Sequence, residues 1–155
     1  MKTPLSSFLA LALLNSLAHS AQAPGQTDLL FQGIRNGDAA AVSACLANGA
    51  SVMDRDSANN TPLIAAAFYS NVAMVELLLK GEVDVNATNE HGETALIRAA
   101  SDADKVNILL EAGAEVHVRA KLGNDALILA ARQHGNARAV QLLLEHGAEV
   151  NGKNT

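Results

Sequence analysis

LLLEHGAEVN, Leu142 to Asn151, is the last of four versions of one phrase, and reading it as a repeat decides the fold. The earlier versions are CLANGASVM (Cys45–Met53), LLLKGEVDVN (Leu77–Asn86) and LLEAGAEVH (Leu109–His117). Each is a run of apolar residues, a glycine, and a return to an aliphatic residue. Working back from each phrase gives a frame that begins at Asp28, Thr61, Thr94 and Asp125, with spacings of 33, 33 and 31 residues. Self-similarity at such a period is the mark of stacked supersecondary units, none of which can bury its apolar face alone.

Inside the frame each position has a physical task. Thr61-Pro62-Leu63-Ile64 opens a helix, because a threonine oxygen can accept from the orphan amides of the first turn and proline suits the first helical position. Thr94 and Asp125 are the corresponding caps. The opening helices carry Ala66-Ala67, Ala99-Ala100 and Ala130-Ala131, whose small side chains allow close approach of neighbouring helices. A second helix follows with large apolar residues, as in Val75–Leu79 and Val140–Leu144. It closes on Gly113 or Gly147, where a left-handed backbone is expected. Val116 or Val150 then enters an extended stretch, and Asn89-Glu90-His91-Gly92 turns the chain back. The unit is helix, turn, helix, hairpin loop.

The stretches TPLIAAA (Thr61–Ala67), TALIRAA (Thr94–Ala100) and DALILAA (Asp125–Ala131), with GAEV and Asp84-Val85-Asn86-Ala87, resemble ankyrin repeats from about Asp28 to Asn151. The resemblance implies an all-α ankyrin solenoid of about four units: 28–60, 61–93, 94–124 and 125–155. The family's opening histidine is replaced by Ile64, Ile97 and Ile128. The third copy is two residues short between Ala100 and Val106, and the fourth has one extra residue before Gly135. Such changes fall in the turn between helices, where loop length costs little. Glu82 stands where glycine is expected, which predicts an earlier helix end in the second copy. The first copy has the smaller Ala44 and Cys45 in its core positions, and the last keeps an apolar VQLLL without a clear polar cap.

Composition agrees with this reading. Hydrophobic residues make up 49% of the 155 residues, enough for a continuous core, whereas aromatics are only 3%, which suits thin helices. The first residues follow another pattern: Lys2, the apolar run Phe8–Leu14, and small residues at Ala18-His19-Ser20-Ala21. This predicts a signal peptide over 1–20, cleaved after 20 or 23, a short linker over 21–27, and a periplasmic or secreted protein. The apolar stretch is too short and too interrupted by Ser6, Ser7, Asn15 and Ser16 to span a bilayer. A net charge of −5 and the lack of a basic stripe argue against nucleic acid as a partner. One cysteine, Cys45, excludes an intramolecular disulfide.

Motifs for chemistry are missing: no lysine-bearing phosphate loop, no HExxH, no GxSxG, no CxxC. Cys45 occupies a leucine position on an apolar helix face, where a thiol acts as a small hydrophobe. His91, His117, His134 and His146 are not paired at helical spacing, so no metal ligand set is expected. Asp102 and Asp104 in the shortened turn read as capping residues. Two Asn-x-Thr triplets, at Asn59 and Asn86, fall on positions that the repeat frame uses and read as coincidence rather than as glycosylation sites. The expectation is therefore no enzyme, no cofactor and no metal.

In ankyrin-repeat proteins the helix ends and hairpin tips on one concave side carry partner contacts. By frame position the resemblance implies Phe68, Tyr69, Ser101, Asp102, Arg132 and Gln133 at helix ends, beside Arg35 and Asn36, and Glu90, His91, Glu93, Lys121, Leu122 and Asn124 at tips. Phe68 and Tyr69 stand out because aromatics are so scarce, and interfaces concentrate energy in such anchors; Phe68 has the alternative task of packing on the next copy. The function expected is an exported protein-binding module that modulates, inhibits or protects another exported protein. The alternatives are a structural protein that self-associates through its last repeat, and, less in keeping with the missing motifs, an enzyme or metal-binding protein.

Overall fold

The computed structural model describes residues 25–150, so the expected leader and its cleavage point lie outside the described residues. The described chain forms eight helices in four pairs: α1 (Gln26–Asn36) with α2 (Ala39–Ala47), α3 (Pro62–Tyr69) with α4 (Val72–Leu79), α5 (Ala95–Arg98) with α6 (Ala103–Glu111), and α7 (Ala126–Ala131) with α8 (Ala137–Glu145). No strand occurs among the described residues. The returns between pairs are turns and irregular backbone, and Val116, expected to enter an extended stretch, sits in a turn.

The first helices begin where the sequence places their caps. Thr61 Oγ1 accepts from Ile64 N at 3.3 Å, Thr94 Oγ1 from Ile97 N at 3.3 Å, and Asp125 Oδ1 from Ile128 N at 2.8 Å. All three caps are buried, so each bond removes an orphan amide where water cannot. The first unit differs: α1 starts at Gln26 behind Gly25, which offers no side-chain cap, so Gln26 and Thr27, assigned to the linker by the frame, are helical. Asp28 lies in the first turn of α1, where its charge complements the helix N-terminus.

Second helices are capped by Asp38, Asn71 and Asp102. Asn136 departs from this. Its amide Nδ2 reaches back to Ala100 O at 2.6 Å and to Ala130 O at 3.4 Å, satisfying the carbonyl ends of α5 and α7 rather than the start of α8. Gly113 and Gly147 close α6 and α8 with φ of 89° and 92°, as the left-handed position requires. With Glu82 in that place, α4 ends at Leu79, one residue earlier in the frame than α6 and α8.

Packing follows two rows. The first helices touch in the order α1, α3, α5, α7, and the second helices in the order α4, α6, α8. Ala66, Ala67, Ala99, Ala100 and Ala130 are buried along the first row, where their size permits the approach. Leu78, Val106, Leu109 and Leu143 are fully buried along the second. One cluster runs through all four pairs and includes Cys45. The loops are stitched across repeats by side chains: Asn89 Nδ2 donates to Asn60 Oδ1 at 2.9 Å, Arg55 Nη1 to Thr88 O at 2.9 Å, and Asn86 Oδ1 accepts from Glu115 N at 2.9 Å. The tips also join through backbone, Lys121 N to His91 O at 2.8 Å.

Candidate functional site

Residues seven places into each frame, Phe68, Ser101 and Arg132, fall at the same level of successive first helices, and this register creates a groove. It is lined by Phe68, Ile97, Arg98, Ala100, Ser101, Leu129, Arg132 and Gln133 and encloses about 400 Å³. Its floor is apolar, formed by the buried Ile97 and Ala100 and the half-buried Leu129. It is bordered by Phe68, against which Tyr69 packs, and by Arg132 with Gln133.

The aromatic rim is held from the next repeat. Phe68 and Tyr69 meet edge to face, with ring centroids 4.6 Å apart at 81°, and are 49% and 51% exposed. The Arg98 guanidinium lies 3.6 Å above the Phe68 ring, a cation–π contact across the α3–α5 junction. Arg98 Nη1 also approaches Glu93 Oε2 at 3.4 Å. Its Nε is buried with no hydrogen-bond partner, so Glu93 answers the charge only in part. Phe68 thus packs on the following repeat with one face while half of it stays open.

The other sequence-derived candidates separate into groups. Phe68, Ser101, Arg132 and Gln133 come together in the groove, and Tyr69 adjoins it. Asp102 accepts from Asp104 N and Lys105 N and lies 3.6 Å from Lys105 Nζ, so it caps α6. Glu93 is tied to Arg98 and to Asn89 Nδ2 at 3.0 Å. The tip residues form a separate ridge: Glu90 Oε1 and His91 Nε2 are 3.4 Å apart, Lys121 is exposed, Leu122 is 77% exposed, and Asn124 O accepts from Ala120 N. The sequence reading missed Arg98, Ile97, Ala100 and Leu129. The signal for Arg98 is the repeat frame itself, which places it one turn before Ser101 at the end of a first helix.

The polar residues that line the groove are Arg98, Ser101, Arg132 and Gln133. Among the described residues no three His, Cys, Asp or Glu side chains come close enough to hold a metal ion. His146 is occupied locally, its Nδ1 2.8 Å from Leu142 O. No helix among the described residues is long and apolar enough to cross a membrane. Paired helices stacked repeat on repeat, with an open groove at the ends of the first helices, define a stacked-repeat scaffold.

Comparison with known proteins identifies the scaffold. The model for ankyrin repeats (3 copies) matches residues 30–120 and the model for a single ankyrin repeat matches 122–155. This chain belongs to the ankyrin-repeat family, whose repeats generally mediate protein–protein interaction. It is 36% identical over 107 residues to a transient receptor potential cation channel subfamily A member 1 homolog of Caenorhabditis elegans, covering 67% of this chain and 9% of the channel protein. It is 36% identical over 112 residues to the B-cell lymphoma 3 protein homolog of Mus musculus, covering 68% and 25%. With ankyrin repeat and SOCS box protein 11 of Danio rerio it shares 38% over 97 residues, 61% of this chain and 32% of the relative. The chain therefore spans a third or less of each of these relatives.

Proposed function

We propose that this protein is an exported binding module that holds another exported protein against its concave side and thereby modulates, inhibits or protects it. The observation that carries the reading is the groove of Phe68, Arg98 and Arg132, an open site that brings an aromatic ring and two guanidinium groups together. Such residues are the usual anchors of protein interfaces. Export rests on Lys2, Phe8–Leu14 and the small residues around Ser20. The relatives' names, a channel homolog among them, state activities of proteins far longer than the matched repeats, and none is carried over.

The test is capture from the exported fraction with the mature chain, comparing wild type with Tyr69→Ala combined with Leu122→Asp. Loss of a specific partner with unchanged thermal stability is expected. An unchanged set of captured proteins would count against the concave side. Mass spectrometry of the exported product should find it starting at Ala21 or Pro24, and a chain retained with Met1 would remove the export reading.

A second reading, self-association through the last repeat, is favoured by one comparison. Leu110 of α6 is 7% exposed under α8, whereas Leu144, its counterpart in α8, is 40% exposed, and Val140 is likewise more open than Val106. Among the described residues an open groove of about 570 Å³ runs over Ala131, Ala137, Val140 and Leu144. Sedimentation of the mature chain tests it: a monomer at all concentrations, unaltered by Leu144→Glu, rules it out.

A further inference from the structure

The groove at the α3, α5 and α7 ends has a chemical polarity that the chain as a whole lacks. The protein carries a net charge of −5, yet two guanidinium groups face this one depression and a single carboxylate, that of Glu93, answers Arg98 from the side. Arg132 is exposed; its backbone N–H donates to Ile128 O, and among the described residues its side chain makes no hydrogen bond or ion pair. Between the two arginines lies an apolar floor of Ile97, Ala100 and Leu129. We infer that the groove receives an extended segment of the partner in which an apolar side chain is followed two residues later by an acidic one, with the apolar group on the floor and the carboxylate on Arg132. This rests on the concave-side reading and gives its partner a chemistry.

The spacing follows from geometry. In an extended segment, side chains two residues apart point to the same face, roughly 7 Å along the chain. Leu129 and Arg132 are three residues apart where α7 ends in helical conformation, so their side chains stand on one face, roughly 5–6 Å apart at the Cβ atoms. The longer reach of arginine covers the difference. A guanidinium offers a planar fork of donors that fits a carboxylate in two parallel bonds, stronger than neutral hydrogen bonds. Phe68, held by Arg98 on one face and by the edge-to-face contact with Tyr69, walls the apolar subsite at small entropic cost because its ring is supported before binding.

Charge also limits the partner. A densely acidic ligand is repelled at long range by an acidic protein, so the carboxylate is one residue in an otherwise neutral segment. A phosphate backbone is disfavoured on the same ground. A basic segment would place a cation against Arg132, a repulsion that selects against it.

Three immobilised libraries of extended peptides test the inference, with fixed Leu-x-Glu, Leu-x-Gln or Leu-x-Lys and neutral residues elsewhere. The mature chain should be retained by the glutamate library about tenfold more than by the glutamine library, a preference that weakens with salt. Arg132→Gln should erase the difference, and Arg132→Glu should transfer the preference to the lysine library. Arg132 is exposed, so both variants are expected to melt like wild type, which circular dichroism verifies. Phe68→Ala should weaken retention on all three. Equal retention on the three libraries, still lowered by Phe68→Ala, overturns the acidic-segment inference and leaves the concave-side reading standing. Retention that ignores both Phe68→Ala and Arg132→Glu overturns the inference and counts against the concave side as well. Retention by none of the libraries overturns the inference alone, since partner capture judges the broader reading separately.

Discussion

Lys105 shows how a single side chain can carry a junction between repeats. Its place in α6 is held by Met74 in α4 and Ala139 in α8, yet here a lysine is buried with Nζ 3.1 Å from Ala67 O, at the end of α3. The equivalent carbonyl one repeat on, Ala100 O, is met instead by Asn136 Nδ2, so each is answered by a side chain of the following repeat. Lys105→Ala should leave Ala67 O without this donor and open a void, costing about 2 kcal/mol in urea unfolding. Lys105→Met should recover part of this by refilling the space but not the bond. Asp102, half open and 3.6 Å from Nζ, gives the buried amine a partly screened charge partner. If both variants unfolded like wild type, the amine would have no structural part. Neither Lys105 nor Arg98 could be read from sequence as cross-repeat contacts, since their partners Ala67 and Phe68 lie in the preceding repeat. The caps Thr61, Thr94 and Asp125 could be, because each acts on an amide three residues away.

At the level of elements, helix length decides how much a cap matters. Helix α5 has only four residues, too few to sustain itself, since the first turn fixes several residues for one hydrogen bond. Its ends are held by Thr94 at the start and by Asn136 of the next repeat, whose amide meets Ala100 O. Thr94→Ala is therefore expected to cost about 1–2 kcal/mol, the upper part of the capping range. Asn136→Ala should cost a similar amount although Asn136 caps no helix through its side chain. Hydrogen exchange would localise both effects to the amides of α5 and the turn that follows it, Ile97 to Ala100, rather than to α8. Protection lost first in α8 after Asn136→Ala would show that the residue serves its own helix. The two-residue shortage near Ser101 was visible in the spacing, but the borrowing of a side chain from repeat four was not, because nothing local distinguishes Asn136 from an ordinary cap. The start of α1 was equally hidden: Gly25 gives no side-chain signal, and the frame pointed to Asp28.

Over the whole molecule, stability is shared between neighbours, so damage should spread along the stack according to where it falls. In a linear array each repeat contacts only the next, and stability is close to a sum of repeat and interface terms. The chain order of the repeats was legible because register is written in the 33-residue frame; the groove was not, because it exists only once three frames are laid side by side. Leu78 and Leu109 are both fully buried in the second-helix row, one in repeat two and one in repeat three. Truncation to alanine at either should cost ~2–5 kcal/mol by lost transfer energy and a residual cavity. The consequence differs with place. Leu109→Ala weakens the α6–α8 contact, so the fourth repeat should detach at lower denaturant than the first two. Leu78→Ala weakens the centre and should melt the array as one. Circular dichroism followed against the exchange protection of α1 and α8 separates the two: coincident loss for Leu78→Ala, and α8 before α1 for Leu109→Ala. Identical, fully cooperative transitions for both variants would mean that the interfaces are too strong to part at a single weakened junction.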